Sequence, residues 1–281
     1  MRPQPTYVFV HGTNANAHHW TWIMQELALR GHRTLAVDLP GHGRDAFIPD
    51  SYQRQDAAGL LTEPSPTAKL TVDDYVGHVE DVVRRAHRNG PVILVGHSQG
   101  GVSLSLTANR VPNMIQHLVY ISAFCCVDLP TPTDYVIQPE LQSPELVEFF
   151  MAGHGGDPNE LGVNRVNWRS SDPAALEAFR ALVAHTYSAE EARTLFQMLQ
   201  PDEPGNLPDS DARGHRDTWG RIPRTYVRLT LDRLLPPAMQ DRWIEEADRL
   251  TPDNRFKVHS LESPHFLPRD LALVDILDDL A

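Results

Sequence analysis

The sequence predicts an α/β protein, a mostly parallel, doubly wound sheet with a helical cap inserted into it. Three observations carry that expectation. Short runs of branched apolar residues alternate with helically spaced stretches from Tyr7 to Phe124, and again from Arg224 to Ala281. Strand and helix in alternation is the pattern of a parallel sheet. Between them, from Cys125 to about Asp217, the alternation gives way to prolines and three helical patterns. Finally, the apolar run Val92-Ile93-Leu94-Val95 stops on Gly96, presents Ser98 and leaves through Gly100-Gly101. The chain therefore divides into a core in two parts, 1–124 and 218–281, and a cap at 125–217.

Taken in order, Tyr7-Val8-Phe9-Val10 is a short buried strand, and His11-Gly12-Thr13-Asn14-Ala15-Asn16 after it is a small-residue loop with backbone N–H groups to offer. Trp20, Ile23, Met24, Leu27 and Ala28 have helical spacing, with Gly31 as a fitting stop. Arg33–Leu39 is a strand closed by Pro40-Gly41-His42-Gly43-Arg44, and residues 45–70 show little periodicity, as an excursion loop would. Thr71 caps a helix with Asp74 at its third position and Val76, Val79, Val82 and Val83 on its apolar face. Strand 91–98, a helix from about Val102 and strand 117–124 follow. In the cap, helices are expected over 145–152, 172–184 and 188–200, the last two opened by Asp172-Pro173 and by Ser188 with Glu191. Residues 201–217 form a return loop. Strand 224–231, helix 238–250, strand 255–261 and a closing helix to Ala281 complete the core.

Composition narrows the partners. Hydrophobic residues at 41% and charged residues at 22% are ordinary for a globular chain of 281 residues, and the net charge of -12 disfavours nucleic acid and anionic membrane. No apolar run approaches a membrane span, and Met1-Arg2-Pro3-Gln4-Pro5-Thr6 lacks the pattern of a signal peptide. The only cysteines, Cys125 and Cys126, are adjacent and unsuited to an ordinary disulfide, so they read as reduced and buried. The expected setting is cytoplasmic, with a small-molecule substrate as partner.

The chemistry centres on Gly96-His97-Ser98-Gln99-Gly100. Between a strand and a helix these residues form a nucleophile elbow, a sharp turn that pushes the Ser98 hydroxyl outward. A serine hydroxyl is a weak nucleophile near neutral pH and needs a histidine and an orienting acid. Sites on open parallel sheets lie beyond the carboxyl ends of the strands, which favours His265 over His259. His97 should point away from the hydroxyl, and His18, His19 and His42 lack a metal-ligand spacing. Asp232 and Asp128 both follow strand ends, Asp232 being the favoured acid and Glu262 a weaker third candidate. The oxyanion needs backbone donors, from Gln99 after the nucleophile and from Gly12-Thr13 after the first strand. Phe149, Phe150, Met151, Trp168, Phe196 and Met198, with Phe266 beside His265, are the candidate substrate contacts. No metal or cofactor is required.

Five motifs in order resemble the alpha/beta-hydrolase superfamily: Val8-Phe9-Val10-His11-Gly12, Asp38-Leu39-Pro40-Gly41-His42-Gly43, Gly96 through Gly101, Leu229-Thr230-Leu231-Asp232, and Ser263-Pro264-His265. Tyr226 through Asp232, continuing to Gln240-Asp241-Arg242-Trp243, is most similar to small esterases related to plant methyl-salicylate esterases and hydroxynitrile lyases. The resemblance implies an alpha/beta-hydrolase fold and an esterase that cleaves a carboxylic ester, lactone or thioester through an acyl-enzyme on Ser98. Plant hydroxynitrile lyases of this type carry a threonine and a lysine where this chain has Gly12 and Phe266, so cyanohydrin cleavage is disfavoured. Relatives with an aspartate nucleophile are set apart by Ser98. The alternatives are a lyase or carbon–carbon hydrolase that uses His265 without an acyl-enzyme, and a non-catalytic ligand receptor or scaffold.

Overall fold

The computed structural model describes residues 4–153 and 155–281. Its strands are β1 (Thr6–Val10), β2 (Arg33–Ala36), β3 (Val92–Ser98), β4 (Ile115–Ala123), β5 (Val163–Arg165), β6 (Asp202–Pro204), β7 (Arg224–Leu229) and β8 (Lys257–Leu261). Six of them form one sheet in the order β2-β1-β3-β4-β7-β8, and every neighbouring pair is parallel. The strand that carries Ser98, β3, is buried at every residue, which is why its sequence is apolar on both faces.

Side chains alternate across a strand, so each strand feeds two cores. On one face Val8, Leu94, Leu118 and Tyr226 pack with Tyr75, Val79, Leu104, Trp243 and Ala247. Those partners come from α4 (Val72–His87) and α5 (Gly100–Arg110), which follow α1 (Thr21–Leu29), α2 (Asp50–Arg54) and α3 (Ala57–Thr62) in the chain, and from α11 (Pro237–Leu250), which follows the insertion helices. On the other face Phe9, Ile93, Val119 and Val227 pack with Trp20, Ile23 and Leu27 at α1 and with Leu273, Val274 and Leu277 of α12 (Leu271–Asp278). Helices on both faces make the sheet doubly wound, as expected. Thr71 and Asp74 close a reciprocal capping box at the start of α4.

The segment between β4 and β7 holds α6 (Pro132–Val136), α7 (Pro144–Gly153), α8 (Pro158–Leu161), α9 (Pro173–Val183) and α10 (Ala189–Phe196). It has its own apolar core, in which Leu146, Val166, Phe179, Leu182 and Phe196 are buried. Ser188 caps α10 with Glu191 in a second capping box.

Several local expectations shift. Residues 45–70 are largely structured: Asp56 caps α3 by accepting from the Ala58 and Gly59 N–H groups, and Glu63 accepts from the Asp50 and Ser51 N–H groups. The helix expected to run to 200 stops at Phe196, because the chain then runs along the loop after β1, where the Gln200 N–H bonds the Asn14 carbonyl at 2.8 Å. The antiparallel pair β5-β6 has no counterpart in the sequence reading, since three-residue strands are too short for alternation to register. Among the described residues no helix is long and apolar enough to cross a membrane.

Candidate active site

Ser98 ends β3 with φ +57, a left-handed conformation rare for a residue with a Cβ. The turn is tight because Gly100, at the start of α5, lies against β1: a Cβ there would stand 2.8 Å from the carbonyl oxygens of Val10 and His11. The elbow thus depends on glycine at that crossing, and its strain is held by the flanking strand and helix.

The loops after β7 and β8 bring Asp232 and His265 to the same end of the sheet. His265 Nε2 lies 3.1 Å from Ser98 Oγ, and Nδ1 lies 2.7 Å from Asp232 Oδ2. A carboxylate only accepts, so His265 holds its proton on Nδ1 and leaves Nε2 free to accept from the serine hydroxyl. Asp232 is 2% exposed, and four donors serve its two oxygens. Leu234 and Leu235 N–H each reach Oδ1 at 2.9 Å, while Ser122 Oγ donates to Oδ2 at 2.6 Å beside His265. The competing acids lie elsewhere: Asp128 pairs with Arg249 at the surface, and Glu262 is exposed.

Ser122 went unmarked in the sequence. It sits at φ +36, where the pairing of β3 with β4 shifts register between His97 and Ser98. The irregularity turns its hydroxyl toward Asp232. A serine next to the last residue of β4, after the run Leu118-Val119-Tyr120-Ile121, was the signal available.

Gly12 and Thr13, on the loop after β1, and Gln99, at the start of α5, edge the same cavity as Ser98. The Thr13 hydroxyl donates to the Gln99 side-chain carbonyl, joining the two proposed oxyanion segments. Backbone N–H groups at a helix start favour developing negative charge.

The cavity above Ser98 measures about 420 Å³ and is mainly apolar. Phe149, Phe150, Trp168 and Phe266 line it, together with Leu146, Val183 and Leu234, which were not singled out. Three expected contacts do not line it. Met151, on α7, is 83% exposed and Met198, in the turn after α10, is 47% exposed, while their neighbours Phe149, Phe150 and Leu199 line the cavity. Phe196 is buried inside the insertion, its ring 5.8 Å from Trp168 and 6.2 Å from Phe266, so it backs the wall without forming it.

Two further histidines border the site. His19 stacks on His97 with ring centroids 4.9 Å apart, and His97 lies 4.6 Å from the His265 ring. Burial, followed by the proximity of His265, pushes His19 down to about 4 and holds His97 well below the ordinary histidine range. Both are neutral near pH 7, so neither opposes a positive charge developing on His265. His19 lines the cavity, a role its loop position did not suggest. His42 is buried and bonds Glu203, within the loop-packing reading. Among the described residues no group of three or more His, Cys, Asp or Glu side chains is placed to hold a metal ion.

The arrangement can move a proton from Ser98 Oγ to His265 Nε2 while Asp232 orients the ring, and can receive an anion at the Gly12-Thr13 and Gln99 backbone. Comparison with known proteins bears on that chemistry. A model of the "Alpha/beta hydrolase family" matches residues 7–272. "Methylesterase 17" of Arabidopsis thaliana is 27% identical over 270 residues, covering 94% of this chain and 87% of the relative. "Pyrethroid hydrolase" of Sphingobium wenxiniae is 24% identical over 244 residues, 85% of this chain and 75% of the relative. The crystal structure of a polyneuridine aldehyde esterase variant superposes with a TM-score of 0.74 over 99% of each chain at 19% identity, a likeness of fold.

Proposed function

Because the chain belongs to the alpha/beta hydrolase family as an esterase of that fold, we propose that it is a serine hydrolase of small apolar or aromatic carboxylic esters, lactones or thioesters. The observation that carries this reading is the unbroken hydrogen-bonded chain Ser98 Oγ, His265 Nε2, His265 Nδ1, Asp232 Oδ2, at 3.1 Å and 2.7 Å. In the first half-reaction Ser98 Oγ attacks the acyl carbon while its proton passes to His265 Nε2. The resulting oxyanion takes hydrogen bonds from the Gln99 and Thr13 N–H groups, each worth about 3 to 4 kcal/mol in the transition state. His265 then protonates the leaving alcohol or thiol, and the acyl group stays on Ser98. In the second half, water gives its proton to His265, attacks the acyl carbon and releases the acid, and the proton returns to Ser98 Oγ.

Insertion 125–217 is read as a cap that supplies most of the apolar wall, with Phe149, Phe150 and Trp168 meeting the substrate and Phe266 closing it from the His265 loop. The relatives named as methylesterase and pyrethroid hydrolase support an ester bond as the target. Gly12 and Phe266 favour hydrolysis over the lyase alternative, since neither side chain offers a hydrogen-bond donor or a charge to a departing group. Cys125 and Cys126, both free and buried, fit a reducing cytoplasm.

The test is turnover of p-nitrophenyl butyrate beside Ser98→Ala, with mass spectrometry for an acyl adduct on Ser98. Turnover and an adduct, both lost in Ser98→Ala, are expected. Equal turnover by the two proteins overturns the reading.

A further inference from the structure

Glu203, the middle residue of β6, is 3% exposed and borders the cavity from the insertion side. A carboxylate buried this deeply is costly unless every lone pair is used. Its Oε2 accepts from the Asn14 backbone N–H at 2.8 Å and from His42 Nε2 at 3.0 Å, while Oε1 accepts from the Tyr75 hydroxyl at 2.8 Å. The other His42 nitrogen, Nδ1, lies 3.1 Å from the Pro40 carbonyl oxygen. Nδ1 also lies 3.3 Å from the Tyr75 hydroxyl, whose proton goes to Glu203, so both ring nitrogens face acceptors and the arrangement favours an imidazolium at His42 with Glu203 as its counter-ion.

The surroundings agree. Burial opposes charge on His42, but the Glu203 carboxylate, through its charge and its hydrogen bond, raises His42 above the ordinary histidine range, aided by Pro40 and Asp38. The His11 ring, 4.9 Å from His42, is held neutral by burial and by His42 itself. Burial and the Glu203 charge keep the Tyr75 hydroxyl protonated.

This unit meets the active site at Asn14, directly after Thr13. Asn14 has φ +56, and the insertion takes up its carbonyl and its side-chain nitrogen as well. The Gln200 N–H bonds the Asn14 carbonyl at 2.8 Å, and Asn14 Nδ2 donates to the Pro201 carbonyl at 3.2 Å. Farther along the loop, the Ala17 N–H donates to Asp38 Oδ1 at 2.7 Å. A left-handed non-glycine residue persists only where its surroundings over-determine it. Three bonds from residues 200–203 on one side of Thr13 are such surroundings.

We propose that Glu203 is a positioning residue: by accepting the Asn14 N–H, as part of the buried unit His42, Glu203 and Tyr75, it sets the backbone at Thr13 and so aims the second oxyanion donor. The inference rests on the hydrolase reading above for the role of that donor. Through Glu203 the insertion contributes to the transition state without touching the reacting atoms.

Glu203→Gln keeps the shape but cannot accept both the Asn14 and His42 protons at one oxygen while leaving an acceptor for Tyr75. Its kcat on p-nitrophenyl butyrate is expected to fall about ten- to a hundred-fold, with KM within about two-fold of wild type, because the ground-state ester does not use the oxyanion donors. Hydrogen–deuterium exchange at the Asn14 amide should quicken. Tyr75→Phe, which removes one donor to Glu203, should move kcat in the same direction by less, and it carries the test if Glu203→Gln fails to fold. An unchanged kcat, or a rise in KM alone, overturns the proposal. If the wild type cleaves no ester, the hydrolase reading fails by itself, and positioning is judged by exchange, where unchanged protection at Asn14 overturns it.

Discussion

Gly12 and Ser98 are in contact: a Cβ on residue 12 would stand 2.7 Å from Ser98 Cβ and 3.2 Å from its Oγ. Residue 12 also opens the loop that carries Thr13, so the proposed nucleophile and the proposed second oxyanion donor share one close approach. Any side chain at 12 must displace one of them. Gly12→Thr is expected to lower kcat/KM by about a hundred-fold or more, since misplacing a reacting group by about 1 Å has that effect. Steady-state kinetics check this, with circular dichroism to show that the sheet is retained.

Ser122 and His265 share one oxygen of Asp232. Ser122→Ala removes a hydrogen bond to a charged, buried group, and a stability loss of about 1.5 to 3 kcal/mol is expected in urea denaturation. Its kcat should fall far less than that of Asp232→Asn, for which a drop on the order of 10⁴ follows if the His265 tautomer is lost. Equal losses in the two variants would make Ser122 as important as the acid itself.

Acid should destabilise the fold through His19 and His97. Their folded-state pKa values lie below the ordinary 6.5, that of His19 at about 4. Between 6.5 and 4 the unfolded chain therefore binds more protons than the native one, and stability falls as pH falls through that window. A series of Tm values from pH 7 to pH 4 should decline less steeply for His19→Phe than for wild type.

His42 acts at the other end of the scale. Its folded-state pKa is raised by Glu203 against burial, so its contribution is full below about 6.5 and is lost as pH rises through the raised value. Alkaline melting curves of wild type should show this decline, and His42→Gln should lack it.

The cavity wall gives a further contrast. Phe149 lines the cavity, whereas Met151, two residues on, is 83% exposed. Phe149→Ala is expected to raise KM for aromatic esters by about ten-fold. Met151→Ser should change stability by less than about 0.5 kcal/mol.

Much of this architecture was legible in the sequence. β3 announced itself as an uninterrupted apolar run because a central parallel strand is buried on both faces. Ser98, Asp232 and His265 could be singled out because Ser98 stands at the end of a strand and the other two in loops just after one, where an open parallel sheet presents its site. The insertion was less legible. Helical spacing located α7, α9 and α10, but spacing tells neither which face meets a cavity nor where a helix ends when the next residues are claimed by another loop, as Gln200 is by Asn14.

By itself, then, the sequence determined the alternation of the sheet, the glycine-flanked turn at Ser98 and the loops that carry Asp232 and His265, because each depends on residues adjacent along the chain. Tertiary structure alone decided that Ser122 reaches Asp232, that Phe149 faces inward while Met151 does not, and that Glu203 holds Asn14. Those relationships join segments as far apart as 110 and 189 residues. The physical basis of the Ser122 and Glu203 contacts is the pairing of buried polar groups, which must find partners wherever the fold brings them, and that of the Phe149 contrast is which side of a helix the fold turns to the cavity.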